Sequence, residues 1–197
     1  MIPRLRGRII KRFKGDLSVW LRENRAKQIY CFSHSFGTYI TMKALEEMKG
    51  EPGIDAIKTI VLSGSVLKRD YDFTKIKHLR NVTIINDCAV SDIPLLFSEA
   101  FVIGTGMAGI TGFRGLSNDT IKNRYFSGGH SHFFDRSENF IDKYWLPIFK
   151  GDIHSSDEDV KSSFFYEFLT NSARISSKFK AFYPLIIVAL LAYAFFV

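Results

Sequence analysis

The sequence predicts a mixed α/β fold built on a parallel sheet. Three short apolar runs have the look of buried strands: Ile29–Phe32, "IKTIVLSGS" from Ile57, and "NVTIIND" from Asn81. The stretches between them suit helical crossovers, and strands joined by crossovers imply parallel pairing in an α/β layer. The first run also meets a helix-like stretch abruptly, at Ser33-His34-Ser35-Phe36-Gly37.

Taken in chain order, Ile2, Leu5, Ile9, Phe13, Leu17 and Trp20 or Leu21 recur every three or four residues, opposite arginines and lysines. That stripe predicts a helix from about Pro3 to Glu23, weakened by Gly7 and Gly15. After the first strand a helix runs from Gly37 with Ile40, Ala44, Leu45 and Met48 on one face, and Gly50 and Pro52 stop it. "VLKRDYDFTKIKHL" is polar enough for a loop and short helix between the second and third strands. "FVIGTGMAGITG" reads as a glycine-rich surface loop lining or covering the site. Its Gly104, Gly106 and Gly109 match a dinucleotide fingerprint literally, but Gly112 and Gly115 break the helix such a site needs and no strand is expected after it. Residues 151–180 read as a polar linker with a short amphipathic helix.

The chemistry concentrates in three places. A strand-to-helix corner this tight calls for small residues two before and two after its apex, here Ser33 and Gly37. Strain of that kind sits at functional sites, and the apex, Ser35, is the candidate nucleophile. A serine needs a base to take its proton, and a carboxylate to orient that base. Asp87 ends the third strand and Asp92 follows in the loop. Either could be the carboxylate, with Asp92 favoured because a loop turning back from a strand end holds it over the sheet edge. Downstream, Gly128-Gly129 precedes His130, and Phe133, Phe134, Tyr144 and Trp145 suit an anchoring helix beyond it. His130 is the candidate base and His132 its competitor. No carboxylate or cysteine follows this pair at ligand spacing, so no metal or other cofactor is expected.

Several of these segments together resemble the α/β-hydrolase family. From Gln28 to about Lys150 the sequence is similar to the C-terminal half of that fold, in particular to a group of uncharacterised serine hydrolases. The elbow His34–Thr38, the strand Ser63–Leu67, the acid loop Asn86–Asp92 and the histidine loop Gly129–Trp145 carry the likeness, in the same order. The resemblance implies a three-layer α/β/α sheet and a Ser35–His130–Asp92 triad, with the Phe36 backbone amide as an oxyanion donor. It also implies a small acyl-ester or lipid-like substrate. Ser33 stands where the family's elbow has its first glycine. The family places several strands before the elbow, whereas here only the N-terminal helix precedes it. The N-terminal strands of such a fold therefore look absent, Ile29–Phe32 is expected at a sheet edge, and a second chain supplying strands is one way to complete it. The runner-up function is a truncated, non-catalytic module that keeps this half of the fold for interaction.

Composition narrows the classes further. The chain has 197 residues, 46% of them hydrophobic and 24% charged, enough for one domain with a core. Its net charge of +7 is mostly local, with nine Lys or Arg against two acids in residues 1–27. Neither an RNA-binding aromatic signature nor zinc-finger spacing accompanies that charge, so no nucleic-acid partner is expected. Cys31 and Cys88 are too few for a disulfide framework, and a reducing compartment is the simpler setting. Ala181–Val197 is seventeen apolar residues without a charge. As a helix it spans about 25 Å, just short of a hydrocarbon core. It predicts a single-pass C-terminal membrane anchor. Arg174, Lys178 and Lys180 just before it favour a cytosolic body. The expected organisation is a partial hydrolase domain over 1–150, a linker over 151–180 and the anchor over 181–197.

Overall fold

A computed structural model describes residues 3–24, 28–79, 81–114, 120–156 and 164–179. Among these, four strands form one all-parallel sheet in the order β1-β2-β3-β4. They are β1 (Ile29–His34), β2 (Ile57–Ser63), β3 (Thr83–Ala89) and β4 (Ile121–Phe126). The helices are α1 (Pro3–Glu23), α2 (Phe36–Glu46), α3 (Ile93–Phe101), α4 (Ala108–Thr111) and α5 (Phe164–Ser177). β1 lies at a sheet edge, as expected. Cys31 on β1 and Cys88 on β3 are separated by β2, and both are free thiols.

Successive strand residues feed opposite faces, because side chains alternate along a strand. Ile60, Leu62 and Ile84 enter a core shared with Ile10 and Leu21 of α1 and Ile40, Met42, Ala44 and Leu45 of α2. Val61, Ile85 and Phe126 enter a second core with Phe133, Phe140, Tyr144 and Trp145. Both faces of the sheet are therefore covered, and that is why β1, β2 and β3 are largely apolar.

Several expectations need correction. α1 has the predicted bounds, and Phe13, Leu17 and Leu21 of its stripe pack on the core, but nearer its start Ile10 is buried in place of Ile9; Leu5, Ile9 and Trp20 are 45%, 38% and 43% exposed. The periodicity alone left the neighbouring residues Ile9/Ile10 and Trp20/Leu21 nearly equivalent; contact with α2 selects one of each pair. The glycine-rich stretch is on the surface only at its start, where Phe101, Ile103 and Gly104 are exposed. Residues 105–110 are buried, and a Cβ on Gly109 or Gly106 would sit 2.0 Å from the Ser65 nitrogen or 2.5 Å from the Lys68 Cα. These glycines let two backbones touch. A strand does follow them, β4, which its polar centre concealed. In place of the helix expected after His130, residues 132–150 form short 3-10 turns and a π-helical turn, Ile141–Trp145. Asn139 in the left-handed region and Pro147 both interrupt a regular α-helix.

β4 carries a buried arginine at its middle because β3 supplies the opposite charge in register. Arg124 pairs with Asp87 across the two strands, Nε to Oδ1 at 2.6 Å and Nη2 to Oδ2 at 2.9 Å, with both side chains sealed. Trp145 Nε1 also donates to Asp87 Oδ2 at 2.9 Å, and Arg124 Nη1 donates to the carbonyls of Tyr144 and His154. On the opposite face Asn86 Nδ2 donates to Asn123 Oδ1 at 2.9 Å, and these two are likewise partners in register.

Helix α5, within the segment read as linker and amphipathic helix, packs on α3. Its Ala173 is buried with Leu95 and Leu96. Among the described residues no helix is long and apolar enough to cross a membrane. The predicted anchor, residues 181–197, lies outside the described residues.

Breaking the β3–β4 ion pair from one side should be severe. Arg124→Ala leaves the Asp87 carboxylate buried without its countercharge, and urea unfolding should show a loss of about 3–5 kcal/mol. The apolar double variant Asp87→Leu/Arg124→Met should recover much of it. A small loss in the single variant would mean that the pair does not hold the sheet together.

Candidate active site

Ser35 sits where β1 ends and α2 begins. Its backbone has φ 53° and ψ −129°, an uncommon conformation for a residue with a side chain. Two contacts hold the corner: the Ser35 N–H donates to Ser63 O at 3.0 Å, and Thr38 Oγ1 donates to Ser35 O at 2.7 Å. Strain at this apex is what the abrupt sequence pattern implied. The need for a small residue at 37 is not met with a steric cause, since a Cβ on Gly37 would find open space within 4 Å. Ser33 is half-buried, and its hydroxyl donates to Val61 O at 3.4 Å.

Asp92 and His130, the candidate acid and base, are brought together by the loops after β3 and β4. His130 Nδ1 lies 2.7 Å from Asp92 Oδ2. The other oxygen, Asp92 Oδ1, accepts the Leu95 N–H at 3.1 Å, so Asp92 is also the N-cap of α3. An ionised carboxylate only accepts. Nδ1 therefore carries the proton, and Nε2 is left as the basic nitrogen. The two loops are tied to each other as well, by Val90 N–H to Phe126 O and Ser91 N–H to Gly128 O. Gly128 is required for room, because a Cβ there would lie 2.1 Å from the His132 ring. Of the two aspartates, Asp87 is spent on Arg124 and Trp145, and Asp92 faces the histidine. His132 packs against Phe126, Phe133 and Phe140, where it is a wall of the second core.

Two residues at the centre of the site were not singled out from the sequence. His34 packs against His130 with ring centroids 4.6 Å apart and planes tilted by 46°, and the rings of Phe133 and Phe134 meet it edge-on. Burial, followed by the charge of His130, lowers its pKa to about 4, so His34 is neutral at physiological pH. It adds no second positive charge beside the base. Its Nδ1 is within 3.2 Å of Ser63 Oγ. Gly64, in the left-handed region at φ 54°, closes the ring: a Cβ there would sit 3.3 Å from Asp92 Oδ2, 3.3 Å from His34 Cε1 and 3.6 Å from His130 Nδ1. The dipeptide Ser63-Gly64 at a strand end was the available signal, since glycine there admits a close approach.

The neighbour of Ser35 thus touches His130. Among the described residues, Ser35 Oγ itself makes no hydrogen bond. In sites without substrate this contact is often long and closes when substrate binds. Phe36 opens α2, and the first amides of a helix have no acceptor within it, so the Phe36 N–H is available to an anion at the corner. No cysteine competes as nucleophile: burial pushes the Cys31 thiol up to about 11 and that of Cys88 higher still.

Burial, opposed by His130, raises the Asp92 pKa above its ordinary value of 3.8. A carboxyl raised in the folded state costs no stability below its unfolded pKa. The cost grows as pH climbs and is full above the folded pKa. Asp92→Asn should therefore match wild type near pH 4 and be at least as stable at pH 7, while removing the orientation of His130. Denaturant unfolding at the two pH values checks this, and a variant clearly weaker at pH 7 would contradict it. Gly64→Ala should strain the backbone by about 1–2 kcal/mol and crowd the Asp92–His130 pair, read as lower stability and a shifted His130 ring resonance.

Compared with known proteins, the chain matches no protein-family model, no curated protein and no solved structure, and the meaning of the site rests on its own residues and geometry.

Proposed function

We propose that the chain is a serine hydrolase that cleaves a carboxylic ester or thioester, tethered to a membrane through residues 181–197. The observation that carries this reading is the 2.7 Å Asp92–His130 contact at the carboxyl end of the sheet, packed through His34 against the strained Ser35 corner. Ser35 Oγ attacks the substrate carbonyl as His130 Nε2 takes its proton. The developing oxyanion faces the Phe36 amide, and Asp92 stabilises the imidazolium. His130 then protonates the departing alcohol or thiol, leaving Ser35 acylated. Water, deprotonated by the same nitrogen, releases the acid and restores the serine.

A neutral His34 beside the imidazolium fits this cycle, since a charged neighbour would oppose protonation of His130. The membrane part rests on the sequence: an uncharged apolar stretch preceded by basic residues. The alternative, a non-catalytic membrane-anchored module, draws on the absence of a Ser35 Oγ hydrogen bond among the described residues and on the position of β1 at a sheet edge.

A fluorophosphonate probe separates the two. The full chain should be labelled, Ser35→Ala should abolish labelling, and His130→Gln should slow it by about 10² or more. Labelling that persists in Ser35→Ala, or no labelling of the wild-type chain, would leave the non-catalytic module.

A further inference from the structure

On the flank where α3 meets α5 lies a cleft of about 360 Å³ that contains none of Ser35, Asp92 or His130. That volume falls within the range of small-ligand sites, about 300–1,000 Å³. Lys68, Arg69, Arg114, Arg174 and Lys178 line it, and Asp70 and Glu99 are the carboxylates on its wall. The cations come from three separate parts of the chain: the loop after β2, the segment beyond α4, and the last turns of α5. Folding has therefore assembled like charges that sequence distance would have kept apart.

Arg69 is the least comfortable of them. Its Nε is buried and has no hydrogen-bond partner among the described residues. Burial, followed by the charges of its neighbours Arg114 and Arg174, disfavours its charged form. A guanidinium held among other guanidiniums with a buried N–H left over is costly unless something negative completes it. The planar donor fork of arginine matches a tetrahedral oxyanion, and two or three such forks around one concavity suit a phosphate better than a carboxylate. We propose that this cleft binds a phosphate group, with Arg69 as its inner donor and Arg114 and Arg174 closing over it.

The position gives the site a use. Arg174 and Ser177 lie in the last turn of α5 and Lys178 directly follows it, and the apolar stretch Ala181–Val197 comes a few residues later in the chain. Phe168 and Ile175 on this helix, Phe179 just beyond it, and Phe97 and Phe101 on α3 also present apolar surface. A phosphate held here is either the headgroup of an anionic phospholipid or a soluble phosphorylated compound; the recognition chemistry is the same.

Inorganic phosphate and lipid vesicles distinguish the sources. The full chain, in nonionic detergent at constant ionic strength, is titrated with inorganic phosphate. It is separately offered phosphatidylcholine vesicles doped with phosphatidic acid, or with oleate at matched surface charge. Saturable binding of inorganic phosphate that Arg69→Gln weakens about ten-fold or more, the equivalent of losing one charged hydrogen bond, establishes the site for a soluble ligand. Preference for phosphatidic acid over oleate, lost in Arg69→Gln, establishes it for a headgroup. Arg174→Gln, on the exposed face of α5, should weaken whichever binding is seen. Without phosphate, Arg69→Gln should melt no lower than wild type, because its guanidinium lacks a partner to lose. Ser35→Ala should bind as wild type does, which keeps the result separate from the hydrolase reading. Binding indifferent to Arg69, no inorganic phosphate binding together with equal binding to oleate and phosphatidic acid, no phosphate or phosphatidic acid binding at all, or an Arg69→Gln chain that melts earlier without phosphate would each overturn the proposal.

Discussion

Asp87 and Arg124 face each other across β3 and β4, both sealed from water, and their pairing fixes more than those two strands. A strand displaced by one residue turns every side chain to the opposite face. A slip here would put Arg124 into the apolar core beneath α1 and α2, leave Asp87 alone, and break the Asn86–Asn123 contact as well. The register is therefore set by polar groups at positions where apolar residues would have tolerated alternatives. A buried ion pair seldom adds much net stability over a well-packed apolar pair, but it discriminates strongly against mispairing. What it protects lies a few residues further on. Asp92 is five residues beyond Asp87 and His130 six beyond Arg124, so the alignment of the two strands determines whether the acid and base loops meet.

The site itself is an assembly of strand ends. β1 supplies His34 and the Ser35 corner, β2 ends in Gly64, β3 leads to Asp92 and β4 to His130. In open parallel sheets this carboxyl end is the customary place for ligands, because the loops that leave it converge there. The cost is local. Ser35 adopts an uncommon backbone, Gly64 a left-handed one, and Asp92 is a carboxylate held away from water. Three such departures within one small volume are hard to explain by packing alone, since apolar residues with ordinary backbones would have filled it at lower cost.

The sequence was most readable where a single force dominates. Burial on both sides made β1, β2 and β3 nearly continuous apolar runs, and those were recognisable. The Ser35 corner was readable because steric demands at a tight turn restrict residue type at its flanks. β4 was hidden because its central residues, Lys122, Asn123 and Arg124, are polar, and two of them pair in register with side chains thirty-seven positions away. No local pattern encodes such a partner. The orientation of α1 was ambiguous for a related reason: Ile9 and Ile10 are both apolar, and only α2 decides which is buried. The glycines of the 104–109 stretch looked like loop residues, yet their reason is close backbone contact with residues 64–68, which is likewise a tertiary fact. His34 was overlooked because its role comes from a ring ninety-six residues downstream.

The central claim is that Ser35 becomes covalently acylated with His130 taking its proton. Rapid-quench mass spectrometry of the full chain mixed with an activated acyl ester tests it most directly. The account predicts an acyl mass on the peptide that contains Ser35, formed within the first turnover, lost as water enters, and strongly suppressed in His130→Gln. An adduct confined to another residue, or one that forms equally fast without His130, would contradict it.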